Sequence, residues 1–281
     1  MTLDAASRGT GWSADGRQID VHVAHPARRY DYWLGGQDNF AADRASGDAV
    51  AAVFPSIRVA AAENRGFLRR AIRYLTADAG VRQFLDVGTG LPTANNTHDI
   101  AQTIAPEARI VYVDNDPLVL VHARALLTSA PRGRTAYLDA DLRDPDSILG
   151  HEQLPEILNF GEPVGLVLAA ILHFIADADD PARLVRHYLD ALPRGSYLVL
   201  SHAACDDMDP ATAEAVAAAA TSNASGAFQL RTHDQISRFF DGLTLVPPGL
   251  TSTATWRADH EPEPRPADEE VSTWAGVAYK S

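Results

Sequence analysis

Cysteine is almost absent from this chain of 281 residues: Cys205 stands alone, so no internal disulfide can form. The first residues, MTLDAASRGTGW, lack the basic-then-apolar order of a secretory signal. Both features predict a reducing, cytoplasmic setting. Long hydrophobic runs are missing as well. The longest apolar stretch, Val164 to Ala176, is interrupted by Gly165 and His173 and falls short of the ~20 residues needed to span a bilayer. Basic charge is scarce too. Lys plus Arg number 24 against 37 Asp plus Glu, and the net charge of −13 repels nucleic-acid backbones and acidic lipid surfaces. The densest basic patch, Arg65, Arg69, Arg70 and Arg73, falls at near-helical spacing beside an apolar stripe and predicts a solvated helix face. No internal repeat, sustained heptad, GxSxG elbow or P-loop is present, and Cys205 has no motif around it, which removes hydrolase and NTPase readings.

What the chain does contain is 46% hydrophobic and 22% charged residues, enough for a large core that needs neither disulfides nor metals. The first twenty residues are polar and aperiodic, and are expected to be disordered or loosely held. From Ile57 apolar residues recur at three- and four-residue intervals, predicting a long helix that ends near Gly80. Strand-like and helix-like segments then alternate. Strands are predicted at Gln83–Val87, Ile110–Val113, Thr135–Leu138, Val164–Ala170 and Ser196–Ser201, with helices between them. The unbroken apolarity of the fourth suits a central parallel strand covered on both faces. Two further strands, Leu243–Val246 and Thr273–Lys280, follow one another without a helix and predict an antiparallel edge pair. The acidic, Pro-rich Asp259–Pro266 between them reads as a mobile loop. The expectation is a doubly wound, seven-stranded, mostly parallel α/β sheet over 57–281, preceded by a cap segment over 21–56.

In such a sheet ligands bind at the carboxyl ends of the strands, where the first turn must admit them to bare backbone. Here that turn is Asp86-Val87-Gly88-Thr89-Gly90. A side chain at either glycine would fill the ligand's volume and forbid positive φ. The dinucleotide signature GxGxxG is incomplete, because position 93 is threonine, so a nicotinamide reading loses support. Asp114, at the end of the second strand, is placed to accept both ribose hydroxyls, a reading we favour over a mere cap of the next helix. Asp139-Ala140-Asp141-Leu142 follows the third strand, where an acid can accept the adenine amino group or simply form a polar turn.

These motifs, with the Ala169-to-Ile175 stretch, resemble the nucleoside-binding motifs of class I S-adenosylmethionine-dependent methyltransferases. His25-Pro26-Ala27-Arg28-Arg29-Tyr30-Asp31-Tyr32-Trp33-Leu34-Gly35-Gly36-Gln37-Asp38-Asn39-Phe40 and Phe84 to Thr93 are similar to the S-adenosyl methyltransferase family formerly catalogued as a domain of unknown function. The resemblance implies S-adenosylmethionine as cofactor. It places Gly88, Thr89 and Gly90 against the methionine portion, Asp114 and Asn115 at the ribose, Asp141 and Leu142 around the adenine, and Ala169 beneath the sulfonium. Leu91 and Pro92 stand where a third glycine often occurs, which stiffens the loop.

Arg28, Tyr30, Tyr32 and Trp33 before Gly35-Gly36 suit a lid that folds over a ligand, with Arg28 and Asn39 reaching the methionine carboxylate. The same residues also suit a short helix packed on the sheet, stopped by the glycines. For an acceptor that must lose a proton, the candidate bases are His173, Tyr32 and His25. His22, His98, His202 and His233 show no metal-ligand spacing, so no metal site is expected. The sequence thus predicts a methyltransferase acting on a small molecule, with no nucleic-acid or membrane partner. A non-catalytic binder of the same cofactor and a nicotinamide oxidoreductase are the alternatives.

Overall fold

The computed structural model describes residues 10–12, 18–93, 95–126 and 129–281. The chain opens with β1 (Thr10–Trp12) and β2 (Gln18–Asp20), a two-stranded antiparallel pair. Most of the expected loose tail lies outside the described residues, but this pairing gives 10–12 and 18–20 regular structure that the polar sequence did not suggest. Three helices follow: α1 (Pro26–Trp33), α2 (Ala41–Val53) and α3 (Ile57–Ala77). The alternating region runs β3 (Gln83–Val87), α4 (Thr97–Ile104), β4 (Arg109–Asp114), α5 (Pro117–Leu126) and β5 (Arg134–Asp139). It continues through α6 (Pro145–Leu149), α7 (Leu154–Ile157), β6 (Gly165–Ala169), α8 (Pro181–Ala191) and β7 (Tyr197–Ala203). The last part holds α9 (Pro210–Thr221), α10 (His233–Ser237), β8 (Thr244–Leu245), β9 (Thr251–Ser252), α11 (Asp268–Val271) and β10 (Thr273–Tyr279).

The strands form one twisted sheet in the order β5-β4-β3-β6-β7-β10-β8, with β9 pairing on β10 as an eighth, two-residue strand. β3 to β7 are parallel, and β10 enters antiparallel between β7 and β8. Side chains alternate between the faces, as strand geometry requires. Leu85, Val111, Leu166 and Leu198 share one core with α8, whereas Phe84, Ile110, Val167 and Val199 share the other with α3. The chain reverses direction across the sheet between β3 and β6, so the ends of β3, β4 and β6 open onto a common crevice.

Above those ends stand α1 and α2. α1 is a helix packed on α2 and α3 rather than on the sheet: Trp33 Nε1 donates to Gly47 O, and the Tyr30 hydroxyl donates to Ala61 O. Gly35, at φ +82°, ends it. The segment just before α1 is held to the end of α9, where Ala24 exchanges backbone hydrogen bonds with Asn223 and Ser225.

Two expectations need correction. Arg70 is not solvated. It is buried, and its Nε and Nη2 donate to Trp256 O (2.8 Å) and Thr253 O (2.5 Å). The Pro-rich segment is likewise packed, because Glu261 pairs with Arg69 and Arg70 while Arg265 pairs with Glu63 and donates to Ala254 O. Nothing local in the sequence marks this, because the partners of Arg69 and Arg70 lie 192 and 186 residues away. Arg70→Ala would leave two buried carbonyls without donors, and urea unfolding should register a loss of about 2–4 kcal/mol.

Candidate functional site

The turn after β3 is shaped by two glycines in the left-handed region, Gly88 at φ +75° and Gly90 at φ +69°. A Cβ at Gly88 would come within 2.3 Å of the Ile171 side chain, so the turn and the segment after β6 can meet only if this residue is glycine. At Gly90 the same construction meets no atom within 4 Å, and the residue lines a cavity. Gly90 N–H donates to Asp114 Oδ2 (2.8 Å) and Asp116 N–H to Asp114 Oδ1 (2.9 Å), which fixes the carboxylate at the end of β4. Burial pushes the Asp114 carboxyl above its ordinary pKa, against the pull of those amides.

Asp86 is a site residue that the sequence reading passed over as part of the turn. It is buried at the end of β3, accepts from Thr97 Oγ1 (2.6 Å), and is pushed up to about 6 by burial, with the Arg65 charge opposing. Arg65 itself lines the same cavity and donates to Thr93 Oγ1 (2.6 Å). The signal for Asp86 was a lone acid inside a five-residue buried strand, where a charge needs a reason.

All of these groups border one cavity of about 600 Å³, within the ~300–1,000 Å³ range of small-molecule sites. Gly88, Thr89, Gly90, Asp114, Asn115, Asp141, Leu142, Ala169, His25, Arg28 and His173 all line it. The strand ends and Asp114 therefore border one cavity. The cavity extends past β6 beneath α2 and α9, where Val50, Phe54, Val216, Ala220 and Phe228 form an apolar wall.

Several finer expectations meet a different geometry. Asn39 lies outside the cavity: its amide donates to Asp31 Oδ2 and Gly36 O, and its Oδ1 accepts from Arg44. Tyr32 also lies outside, with its hydroxyl donating to Asp48 and Arg58 stacked 4.6 Å from its ring centroid. Arg28 does reach the cavity, but its two terminal nitrogens donate to Asp20 O and Val23 O, and its Nε lies between Asp43 and Asp116. Arg28 is thus committed to holding the cap together at both terminal nitrogens, while among the described residues its Nε makes no hydrogen bond. Asp141 accepts two hydrogen bonds at each oxygen, three in all from Arg143 and one from Asn115, which leaves no acceptor capacity for an adenine amino group. Those bonds hold its carboxyl below the usual range.

The two histidines differ. His173, four residues beyond β6, is buried among Phe174, Phe228 and His202, and burial together with the His202, Arg231 and Arg29 charges pushes it well below its ordinary pKa. Its Nδ1 accepts a long bond from Ala203 N–H (3.4 Å), so the proton of the neutral ring sits on Nε2. That is a donor, not a base. His25 Nδ1 stands 2.9 Å from Asp116 Oδ2, at the β4 end of the cavity beside Asp114. Among the described residues no group of His, Cys, Asp and Glu is arranged to hold a metal ion, and no helix is long and apolar enough to cross a membrane.

The sequence matches the S-adenosyl methyltransferase family over residues 13–281, and the chain belongs to that family. Two solved structures resemble it along nearly their whole length. A DUF574 family protein from Streptomyces avermitilis MA-4680 is 42% identical, with 93% of this chain and 99% of that one covered and a TM-score of 0.87. A candidate methyltransferase from Thermobifida fusca YX is 40% identical, with 93% and 96% covered and a TM-score of 0.84. No protein with a curated description matches the chain. The protein is an S-adenosylmethionine-dependent methyltransferase of class I fold, and the nicotinamide alternative falls away.

Asp86 gives the site a pH signature. Its folded pKa lies above the unfolded value of 3.8, so the folded state holds the proton more tightly between pH 3.8 and about 6. Stability from this residue is present at low pH and is lost as pH rises through that window. Asp86→Asn, which keeps an acceptor for Thr97, should remove the loss. Thermal melts should show the variant gaining on the unaltered protein from pH 4 to 6, by at most on the order of 3 kcal/mol.

Proposed function

We propose that this methyltransferase acts on a small, largely apolar acceptor held beneath α2 and α9, beside a cofactor bound across the ends of β3, β4 and β6. One observation carries the proposal: a single cavity joins the Gly88–Gly90 turn and Asp114 to the apolar wall of Val50, Phe54, Val216 and Phe228. The glycines leave backbone bare and an open volume at Gly90, and Asp114 offers the paired acceptor that a ribose diol requires. Asp86, when ionised, suits the methionine ammonium, a role absent from the sequence reading. Leu142 supplies an apolar surface for the adenine, and Ala169 borders the junction of the two compartments.

When bound, S-adenosylmethionine supplies an electrophilic methyl group on a sulfonium. The rest falls to the chain, which must hold the acceptor in line and exclude water. α1 and α2 provide the exclusion, because their hydrogen bonds to one another and to α3 roof the strand ends. His173 contributes a neutral Nε2–H donor at the acceptor side rather than a base. A partner-regulating binder with no reaction would have no use for the second, apolar compartment. The acidic surface further disfavours a polyanionic acceptor.

Calorimetric titration with S-adenosylhomocysteine tests the cofactor half directly. Asp114→Ala should weaken binding by about tenfold or more, given ~1.5–3 kcal/mol for a charge-assisted hydrogen bond. Binding by the unaltered protein should strengthen as pH rises through about 6, where Asp86 gives up its proton. Undiminished affinity in Asp114→Ala would remove the ribose role.

A further inference from the structure

Arg29 is a charge without a counterion. It projects from α1 into the gap between α2 and α9, and the whole residue is 2% exposed. Its Nη1 donates to Ser46 Oγ (3.1 Å) and to Ala220 O, both uncharged acceptors. Its Nε has no partner, and among the described residues Nη2 makes no hydrogen bond either. The carboxylate that acts on it is Asp43, whose two oxygens already receive the amides of His25 and Phe40 and which lies against Arg28. Burial accordingly pulls the guanidinium down to about 10, and it stays charged at neutral pH. The Trp33 ring centroid lies 5.9 Å from the Arg29 Cζ, but the ring takes none of the N–H donors. A buried, ionised group with spare donors costs several kcal/mol unless something pairs with it. Arg29 lines the cavity, and its own partners place it on the α9 side, with His173 within reach of its charge. The Gly88–Gly90 turn and Asp114 lie at β3 and β4, on the other side of β6.

We propose that Arg29 anchors the acceptor, and that the acceptor is a small apolar molecule bearing a carboxylate or equivalent planar anion. The inference rests on the reading of the apolar compartment as the acceptor site. The anion receives the free N–H donors of the fork, and the apolar body lies against Val216 and Phe228. His173 lines the same cavity.

The probes are 2-naphthoate and the isosteric, uncharged 2-naphthamide, titrated calorimetrically against the full chain with and without saturating S-adenosylhomocysteine. The acid should bind about tenfold or more tightly than the amide, the value of one charge-assisted hydrogen bond. Arg29→Gln should abolish that preference, Arg29→Lys should keep part of it, and S-adenosylhomocysteine affinity should stay within about twofold in both. Equal binding of acid and amide by the unaltered protein, binding of neither, or a preference that survives in Arg29→Gln would overturn the assignment. So would a tenfold fall in S-adenosylhomocysteine affinity in Arg29→Gln, since Arg29 would then serve the cofactor's own carboxylate. Should Arg29→Gln fail to fold, the acid-to-amide ratio of the unaltered protein and of Arg29→Lys still decides. Failure of S-adenosylhomocysteine to bind the unaltered protein would strike the cofactor reading instead, and the probes alone would still report on Arg29.

Discussion

The cavity depends on a buried cluster of charges that holds the cap against the strand ends. Arg28 stands with Nε 3.6 Å from Asp43 and 3.5 Å from Asp116, and His25 Nδ1 lies 2.9 Å from the second carboxylate. Asp43 belongs to α2, Arg28 to α1, and Asp116 to the turn after β4, so the two cap helices meet a turn distant in sequence at one point. Buried ions are tolerated only when each is paired and hydrogen-bonded, and removal of one leaves the others uncompensated. The cluster therefore couples the cap to the turn after β4, because loss of one charge would leave its neighbours uncompensated. Asp116 is in turn tied to Asp114, two residues away, through its backbone N–H.

A second chain of hydrogen bonds fixes the other half of the roof. Asn64 Nδ2 donates to the Tyr30 hydroxyl, and Asn64 Oδ1 accepts from Ser201 Oγ, which in turn accepts from Ala170 N–H. Ala170 occupies the left-handed region at φ 54°, a conformation that costs a non-glycine residue on the order of 1–3 kcal/mol and persists where surroundings impose it. That turn delivers Ile171 onto Gly88 at a distance where no Cβ would fit. The ends of β3 and β6 are thus fitted to each other, and the link from α1 through α3 to β7 keeps them so.

The sheet was legible in the sequence because its strands announce themselves locally. Gly165–Ala169 is apolar without a break, β4 is β-branched and aromatic, and Gly88 and Gly90 mark the turn that only glycine can make. What escaped notice depends on partners far along the chain. Arg70 and Arg65 read as surface charge because Thr253, Trp256 and Thr93 are remote in sequence. Asn39 and Tyr32 looked like ligand-binding groups by composition, yet Asp31, Arg44 and Asp48 nearby claim their polar atoms. Arg28 and Arg29 are adjacent and chemically identical, and only the three-dimensional placement separates a cation against two carboxylates from one whose hydrogen bonds go to uncharged acceptors. β9 is two residues long, too short for any periodicity to show.

The same placement resolves an apparent conflict between an acidic protein and cationic walls in its cavity. A net charge of −13 governs what happens at a distance, where it slows the approach of polyanions. At physiological ionic strength that field decays over about 8 Å, and most of the acids that produce it lie on the surface. Inside the cavity screening is weak, and the balance is set by the groups within a few ångströms of the ligand. There Asp43 and Asp116 lie against Arg28, Asp86 is drawn toward its neutral form, and among the described residues Arg29 has no carboxylate at ion-pair distance. Overall charge thus opposes the approach of long anionic chains, which must cross the surface field at many points. A single buried guanidinium can still select one small anion that has left that field behind.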